Sequence, residues 1–246
     1  MCKKFAYEYS KLKPNTIENY FAKIDTDTAP IIRNLIKLIE KYKLKKSKFS
    51  EIKNIIENLL PIFLIFYYRS NALLIEFSSI NKENKIPSLS KKILDSNYIY
   101  ELAETIKKCY RIAIIESDEN FLLSDQFLST ATLKFNGQFF DISCRHIGLK
   151  DTLILIPISS RFYIAYWNTD NQFFINENEL NFIKEKDIPL INRTIINNSY
   201  LKCVGAKQEK IYEVLNDYEW AFPSQIFTGG SPSGYHAGAI KKKEVL

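Results

Sequence analysis

Apolar residues recur at helical spacing through the first quarter of the chain. Asn15 with Glu18 three residues later forms the pattern of a capping box, which predicts a helix start. Pro30 follows Thr28-Ala29 and suits the first turn of a helix, where its missing N–H does no harm. We therefore expect one helix from residue 15 and a second that begins near Pro30.

A third helical pattern follows, and Ser50 is placed to cap it. Pro61 lies well inside this pattern, so it predicts a kink or a break. Residues 62–68 are apolar on every side, which is typical of a buried core helix; a buried strand is the alternative. Residues 15–69 as a whole are predicted to be helical.

The spacing of apolar residues changes in the middle of the chain. Residues 78–97 are rich in Ser, Asn and Pro and predict a loop, and residues 99–109 return to helical spacing. Asn136-Gly137 is a hairpin signal that joins residues 131–135 to residues 138–142. Strands linked by such short turns favour an antiparallel sheet. The β-rich segments are residues 111–117, 121–124, 131–135, 139–143, 153–158 and 161–167.

The end of the chain is predicted to be helical again and then flexible. Asn176 or Asn178 can cap a helix over residues 179–183, and further helices are predicted over residues 190–201 and 209–215. Residues 222–246 contain the Gly and Pro of a flexible tail. The predicted fold is one α+β domain over residues 1–221, with a central antiparallel sheet flanked by N-terminal and C-terminal helices.

Composition narrows the class of protein. The 246 residues are 46% hydrophobic and 25% charged, which excludes a chain that is disordered throughout. The longest uncharged apolar run, residues 58–68, is shorter than the roughly 20 residues of a spanning helix. Four scattered cysteines and the lack of an export signal predict a cytoplasmic protein with free thiols and no membrane partner.

The positive charge is concentrated at one end. Residues 1–50 hold 12 Lys or Arg against 5 Asp or Glu, a net of +7, whereas the other 196 residues carry a net of −1. Such a segment can attract phosphate backbones or anionic lipid. The alternative is an ordinary solvated turn between two helices. The densest part consists of Lys41, Lys43, Lys45, Lys46 and Lys48.

Several short motifs occur in an order that points to a known family. The strand end Phe121-Leu122-Leu123-Ser124-Asp125 resembles a Phe-Ile-Thr-Ser-Asp-Asn-Pro motif. The chain thereby resembles a bacterial family of uncharacterised proteins, the domain of unknown function 4238 type. Similar matches to that family's early helix, Arg-Ser helix end, Pro-Leu-Ser-Pro turn and Asn-containing final helix fall at residues 18–24, 66–70, 156–161 and 191–199.

The chain also departs from that family's pattern. The family opens with a His-Tyr-Val-Pro segment, and this chain has no histidine before His146. Asp125 is followed by Gln126-Phe127 where the family has Asn-Pro. The resemblance therefore implies a divergent member that lacks the opening segment. It implies no particular reaction, because the family has no established activity.

Three residues are candidates for chemistry. Asp125 at a strand end can bind a divalent cation or act as a base, and Glu116 or Asp118 can share the cation, Mg²⁺ being the expected one. Arg69, which follows an apolar helix, can stabilise a phosphate. The structural alternatives are that Asp125 caps a turn and that Arg69 pairs with Asp125 or Glu76.

These features favour a nucleic-acid-directed protein, with a metal-dependent nuclease acting in phage defence or as a toxin as the specific hypothesis. The alternative is a non-enzymatic module that binds a partner protein. Aromatic residues beside the lysines can stack on bases if they are exposed. Their spacing favours the core instead, and they are Tyr67, Tyr68, Tyr163, Tyr166 and Trp167.

Overall fold

Four helices and two sheets make up the part of the chain that the computed structural model describes. That part comprises residues 15–70, 96–118, 121–133, 146–199, 202–205, 211–212, 214 and 244–245. The predicted Asn136-Gly137 hairpin and the predicted strand over residues 139–143 lie outside it. The α+β class predicted from the sequence is confirmed.

The N-terminal helices are longer and fewer than their sequence signals suggest. Helix α1 runs over Thr16–Lys43 and passes through Pro30, so the predicted second start at Pro30 is wrong. Asn15 does precede the helix, but its φ is 60° and its side chain makes no capping hydrogen bond. Helix α2 runs over Phe49–Tyr68, so Ser50 lies in its first turn and not at its cap.

Pro61 does not break α2. The helix continues for seven residues beyond it, to Tyr68. Proline inside a helix removes one hydrogen bond and costs about 3 kcal/mol in an isolated helix. Burial of the surrounding apolar side chains offsets this cost, because Leu59, Leu60, Phe63 and Leu64 are each at most 2% exposed. Tertiary packing therefore decides the continuity of α2.

The main sheet has five strands in the order β3-β4-β5-β1-β6. Three of its four pairings are antiparallel, as predicted, but β6 pairs with β1 in parallel, so the sheet is mixed. The predicted helix over residues 179–183 is wrong, since this segment contributes β6. The strands are β1 (Arg111–Glu116), β3 (Ser129–Thr132), β4 (Thr152–Pro157), β5 (Phe162–Asn168) and β6 (Leu180–Phe182).

Two hydrophobic cores cover the two faces of this sheet. Side chains alternate along a strand, so Ile112 and Ile114 of β1 face one core while Ala113 and Ile115 face the other. The first core lies against α1, α2 and α3 (Ser96–Cys109), and the second against α4 (Ile188–Asn198). The central strands are therefore buried on both faces.

A small second sheet has the order β2-β7-β8. It consists of β2 (Leu123–Ser124), β7 (Lys202–Val204) and β8 (Glu244–Val245). Strand β8 lies within the segment predicted to be a tail, and the rest of that segment is outside the described residues. Among the described helices, none has both the length and the apolar character needed to cross a membrane.

Candidate functional site

The lysine-rich turn joins α1 to α2 and is exposed. Its backbone is tight: the N–H of Lys46 donates to the carbonyl of Lys41 at 2.9 Å, and that of Lys45 donates to Tyr42 at 2.9 Å. Lys45 has a positive φ of 56°, which folds the chain back toward α2. Lys41, Lys45, Lys46 and Lys48 all face solvent.

The exposed positive charge continues up α1 beyond the segment singled out from the sequence. Arg33, Lys37 and Lys41 are four residues apart, so they follow one face of the helix. This face lies opposite the buried Leu35 and Ile39. The three residues span about 12 Å along the helix axis.

We call Arg33, Lys37, Lys41, Lys45, Lys46 and Lys48 the basic ridge. Within the described ranges, none of these six side chains forms an ion pair with a carboxylate. No described carboxylate therefore pairs with these six charges, which lie along the second half of α1 and in the turn after it.

Lys43 is the exception among the clustered lysines. Its Nζ lies 2.6 Å from Oε1 of Glu116, a carboxylate whose side chain is only 4% exposed. The Arg161 guanidinium donates to the same oxygen through Nη2 and reaches Glu40 through Nη1 at 3.5 Å. These four residues, the Glu116 cluster, fasten the end of α1 to the ends of β1 and β5.

Removal of the charge from Glu116 is expected to weaken this attachment. Glu116→Gln keeps the side-chain volume and an acceptor oxygen but removes the negative charge, so two ion pairs become hydrogen bonds from a cation to a neutral amide. Lys43 and Arg161 are 33% and 43% exposed and can be rehydrated, so the expected loss is about 1 to 2 kcal/mol of unfolding free energy. Urea unfolding measures it.

Glu104→Gln is the matched control for that substitution. Glu104 forms a surface ion pair with Lys107 at 2.8 Å on one helix, and its side chain is half-exposed. No measurable change is expected from this variant. An equal loss of stability in the two variants would contradict the special role of the Glu116 cluster.

The carboxylates predicted to share a cation are placed differently from one another. Asp125 and Asp118 are exposed, whereas Glu116 is buried and bonded to Lys43 and Arg161. In the turn that contains Asp125, Ser124 Oγ accepts the N–H of Gln126 at 3.0 Å. Among the described residues, no three His, Cys, Asp or Glu side chains lie together as a metal site requires.

Arg69 has a structural partner, but not one of those predicted. Its Nη1 lies 2.9 Å from Asp25 of α1. Its guanidinium also lies 4.5 Å from the ring centre of Phe66, a cation–π distance. Glu76 lies outside the described residues. Arg69 therefore ties the end of α2 to α1 through Asp25.

The aromatic residues considered for base stacking lie mostly in the core, as their spacing favours. Tyr68, Tyr163, Tyr166 and Trp167 are buried, and Tyr67 is half-buried. Phe182 of β6 is one of several exposed aromatic residues that the sequence analysis did not consider, and it is 57% exposed. Its alternation with the polar Asn181 is a strand signal that could have identified it.

Polar side chains of α4 join two of the segments that carry the family resemblance. Asn192 Oδ1 accepts the N–H of Leu122 at 3.1 Å, and both residues are buried. Tyr163 donates its hydroxyl hydrogen to the Leu122 carbonyl.

Comparisons with models of protein families, with curated proteins and with solved structures find no match to this chain. The resemblance therefore stays a hypothesis.

Proposed function

We propose that this protein binds nucleic acid through the basic ridge. The observation that supports the proposal is a set of six exposed cations without ion pairs in the described part of the chain. When lysine or arginine side chains bind phosphates, they displace the counterions that are condensed on the nucleic acid. This release of counterions is the main source of affinity for nucleic acid that does not depend on sequence. A solvated helix face, in contrast, usually mixes both signs of charge.

The arrangement of the charges suits a phosphate backbone. Successive cations on α1 are separated by about 6 Å along the axis, and Lys45, Lys46 and Lys48 follow in the turn that joins α1 to α2. Lysine and arginine contacts to phosphates fix the position of a nucleic acid but do not read its bases. We therefore expect binding that depends strongly on salt and weakly on sequence.

The test is fluorescence anisotropy with labelled RNA and DNA over a salt series. The triple variant Arg33→Gln, Lys37→Gln, Lys41→Gln is expected to bind at least tenfold more weakly at low salt. It should also lower the slope of log affinity against log salt by about 2 to 3, since each lost phosphate contact removes 0.7 to 0.9.

A second triple variant with the same change of net charge is the control. Lys107→Gln, Lys108→Gln, Lys150→Gln removes cations near the start of β1, whereas Glu116, which holds the last residue of α1, lies at the other end of that strand, about 17 Å away. This variant should bind almost as well as the original protein. Equal losses in the two triple variants, or no binding at low salt, would overturn the proposal.

The same samples decide whether binding leads to cleavage. They are incubated with Mg²⁺ and run on a denaturing gel, together with Asp125→Ala. Cleavage that needs both Mg²⁺ and Asp125 supports the nuclease hypothesis. Binding without cleavage supports a role in binding alone.

A further inference from the structure

Phe182 is an exposed aromatic residue on the edge strand of the main sheet. It ends β6, which pairs only with β1 among the described strands. Its ring is 57% exposed, and no aromatic or cation–π contact to it occurs within the described ranges. More than half of the surface of Phe182 is therefore open to solvent.

The register places Phe182 beside the Glu116 cluster. Phe182 is the direct partner of Glu116 in the parallel pairing of β6 with β1. Directly paired residues project on the same face of a sheet, and their Cα atoms lie about 5 Å apart. Phe162 is the partner of Glu116 on the other side, so Phe182, Glu116 and Phe162 form one row.

The same row leads to the end of the basic ridge. Glu116 holds Lys43, the last residue of α1, at 2.6 Å. The Nζ of Lys43 therefore lies roughly 10 Å from the Cα of Phe182. This distance follows from the spacing of paired strands and the length of the glutamate side chain. Lys43 follows the buried Ile39 by four residues, so it lies on the opposite side of α1 from Arg33, Lys37 and Lys41. It therefore places Phe182 near the turn after α1, which carries Lys45, Lys46 and Lys48, and not beside the helical part of the ridge.

We propose that Phe182 stacks on an unpaired base, and that the ligand of the basic ridge is single-stranded nucleic acid. This inference rests on the proposed function. Sites for single strands combine a positive track for the backbone with aromatic rings for the bases. A duplex keeps its base faces stacked on each other, so it offers phosphates to the ridge but no base to Phe182.

The experiment compares Phe182→Ala with the original protein on single-stranded and duplex oligonucleotides of the same length. Loss of one stacked base is expected to weaken single-strand binding about 5- to 150-fold. Duplex binding and the salt slope should stay unchanged, because no phosphate contact is lost. Circular dichroism verifies that the variant is folded.

Two further variants make the test specific. Tyr100 is 59% exposed, which is close to the exposure of Phe182. It lies near Tyr20 in the first part of α1, far from the end that carries Lys41. Tyr100→Ala should therefore not alter binding. Phe182→Trp should retain binding, and the new indole emission should be quenched by single strands but not by duplexes.

The outcomes separate this inference from the proposed function. If the ridge variant loses affinity while Phe182→Ala binds single strands and duplexes like the original protein, the stacking role is overturned and the ridge remains. If single strands bind no better than duplexes, single-strand preference is overturned. If no nucleic acid binds at low salt, both proposals are wrong.

Discussion

Asn198→Leu is expected to lower the free energy of unfolding by about 3 kcal/mol, because it removes two hydrogen bonds to buried backbone groups of Thr130. Among the described strands β3 lies at the edge of the main sheet, and α4 packs against it. The buried Asn198 accepts the N–H of Thr130 at 3.0 Å and donates to the carbonyl of Thr130 at 2.9 Å. One side-chain amide therefore replaces the hydrogen bonds of a neighbouring strand.

Leucine has the same number and branching of side-chain heavy atoms as asparagine, so the substitution removes the hydrogen bonds without leaving a cavity. Urea unfolding should show the loss of stability as a lower midpoint with an unchanged m-value. Asn34→Leu makes the same change at an exposed position of α1 and should have no large effect. A small effect of Asn198→Leu would mean that water satisfies Thr130, and it would contradict the role given to α4.

The correct sequence predictions were those that depend on local pattern. The apolar runs of β4 and β5 and the turn at Ser159-Ser160 are local signals, and the strands lie almost where they were predicted. Pro30 and Pro61 misled the prediction of helix ends because burial of α1 and α2 offsets the hydrogen bond that each proline removes. That burial depends on the rest of the fold.

The wrong prediction of a helix over residues 179–183, which form β6, has a different cause. Asn178 lies outside a helix with a φ of 58°, and its N–H donates to the Ile112 carbonyl at 2.8 Å. Asn181 bonds to both backbone groups of Asn176, which holds the entry to the strand. A parallel pairing with a strand more than sixty residues earlier leaves no local signal beyond the alternation of Leu180, Asn181 and Phe182.

In the candidate site, too, local sequence pattern indicates some features but not the contacts between residues that are distant in sequence. The lysines after α1 are adjacent in sequence, and Arg33 and Lys37 could have been added from their spacing of four residues. The partners of Glu116 could not, since Lys43 and Arg161 lie 73 and 45 residues away from it. Helical spacing does distinguish Lys43, since it follows the buried Leu35 and Ile39 at steps of four residues, but that spacing does not reveal Glu116 as its partner.

The buried tyrosines predict a steep loss of stability in alkali. Complete burial raises the pKa of Tyr163, and burial together with the nearby charge of Glu57 raises the pKa of Tyr166. In the unfolded chain both phenols ionise near pH 10. Their contribution to stability is therefore fully present below about pH 10 and is lost as the pH rises, by about 2.7 kcal/mol per pH unit for the pair.

Phenylalanine variants isolate this effect from other groups that titrate in alkali. Tyr163→Phe and Tyr166→Phe should each remove about half of that slope, and the double variant nearly all of it. At neutral pH the two single variants should differ in their free energy of unfolding. Tyr163 donates to the Leu122 carbonyl, so its loss should destabilise by about 1 kcal/mol.

The Tyr166 hydroxyl is buried without a hydrogen-bond partner in the described structure, and its removal avoids the cost of keeping it from water. Tyr166→Phe should therefore be neutral or stabilising at pH 7, by up to about 1 kcal/mol. The measurement is urea unfolding at pH 7 and at half-unit steps from pH 9.5 to pH 11. A parallel loss of stability in the original protein and the double variant would show that the alkaline transition arises elsewhere.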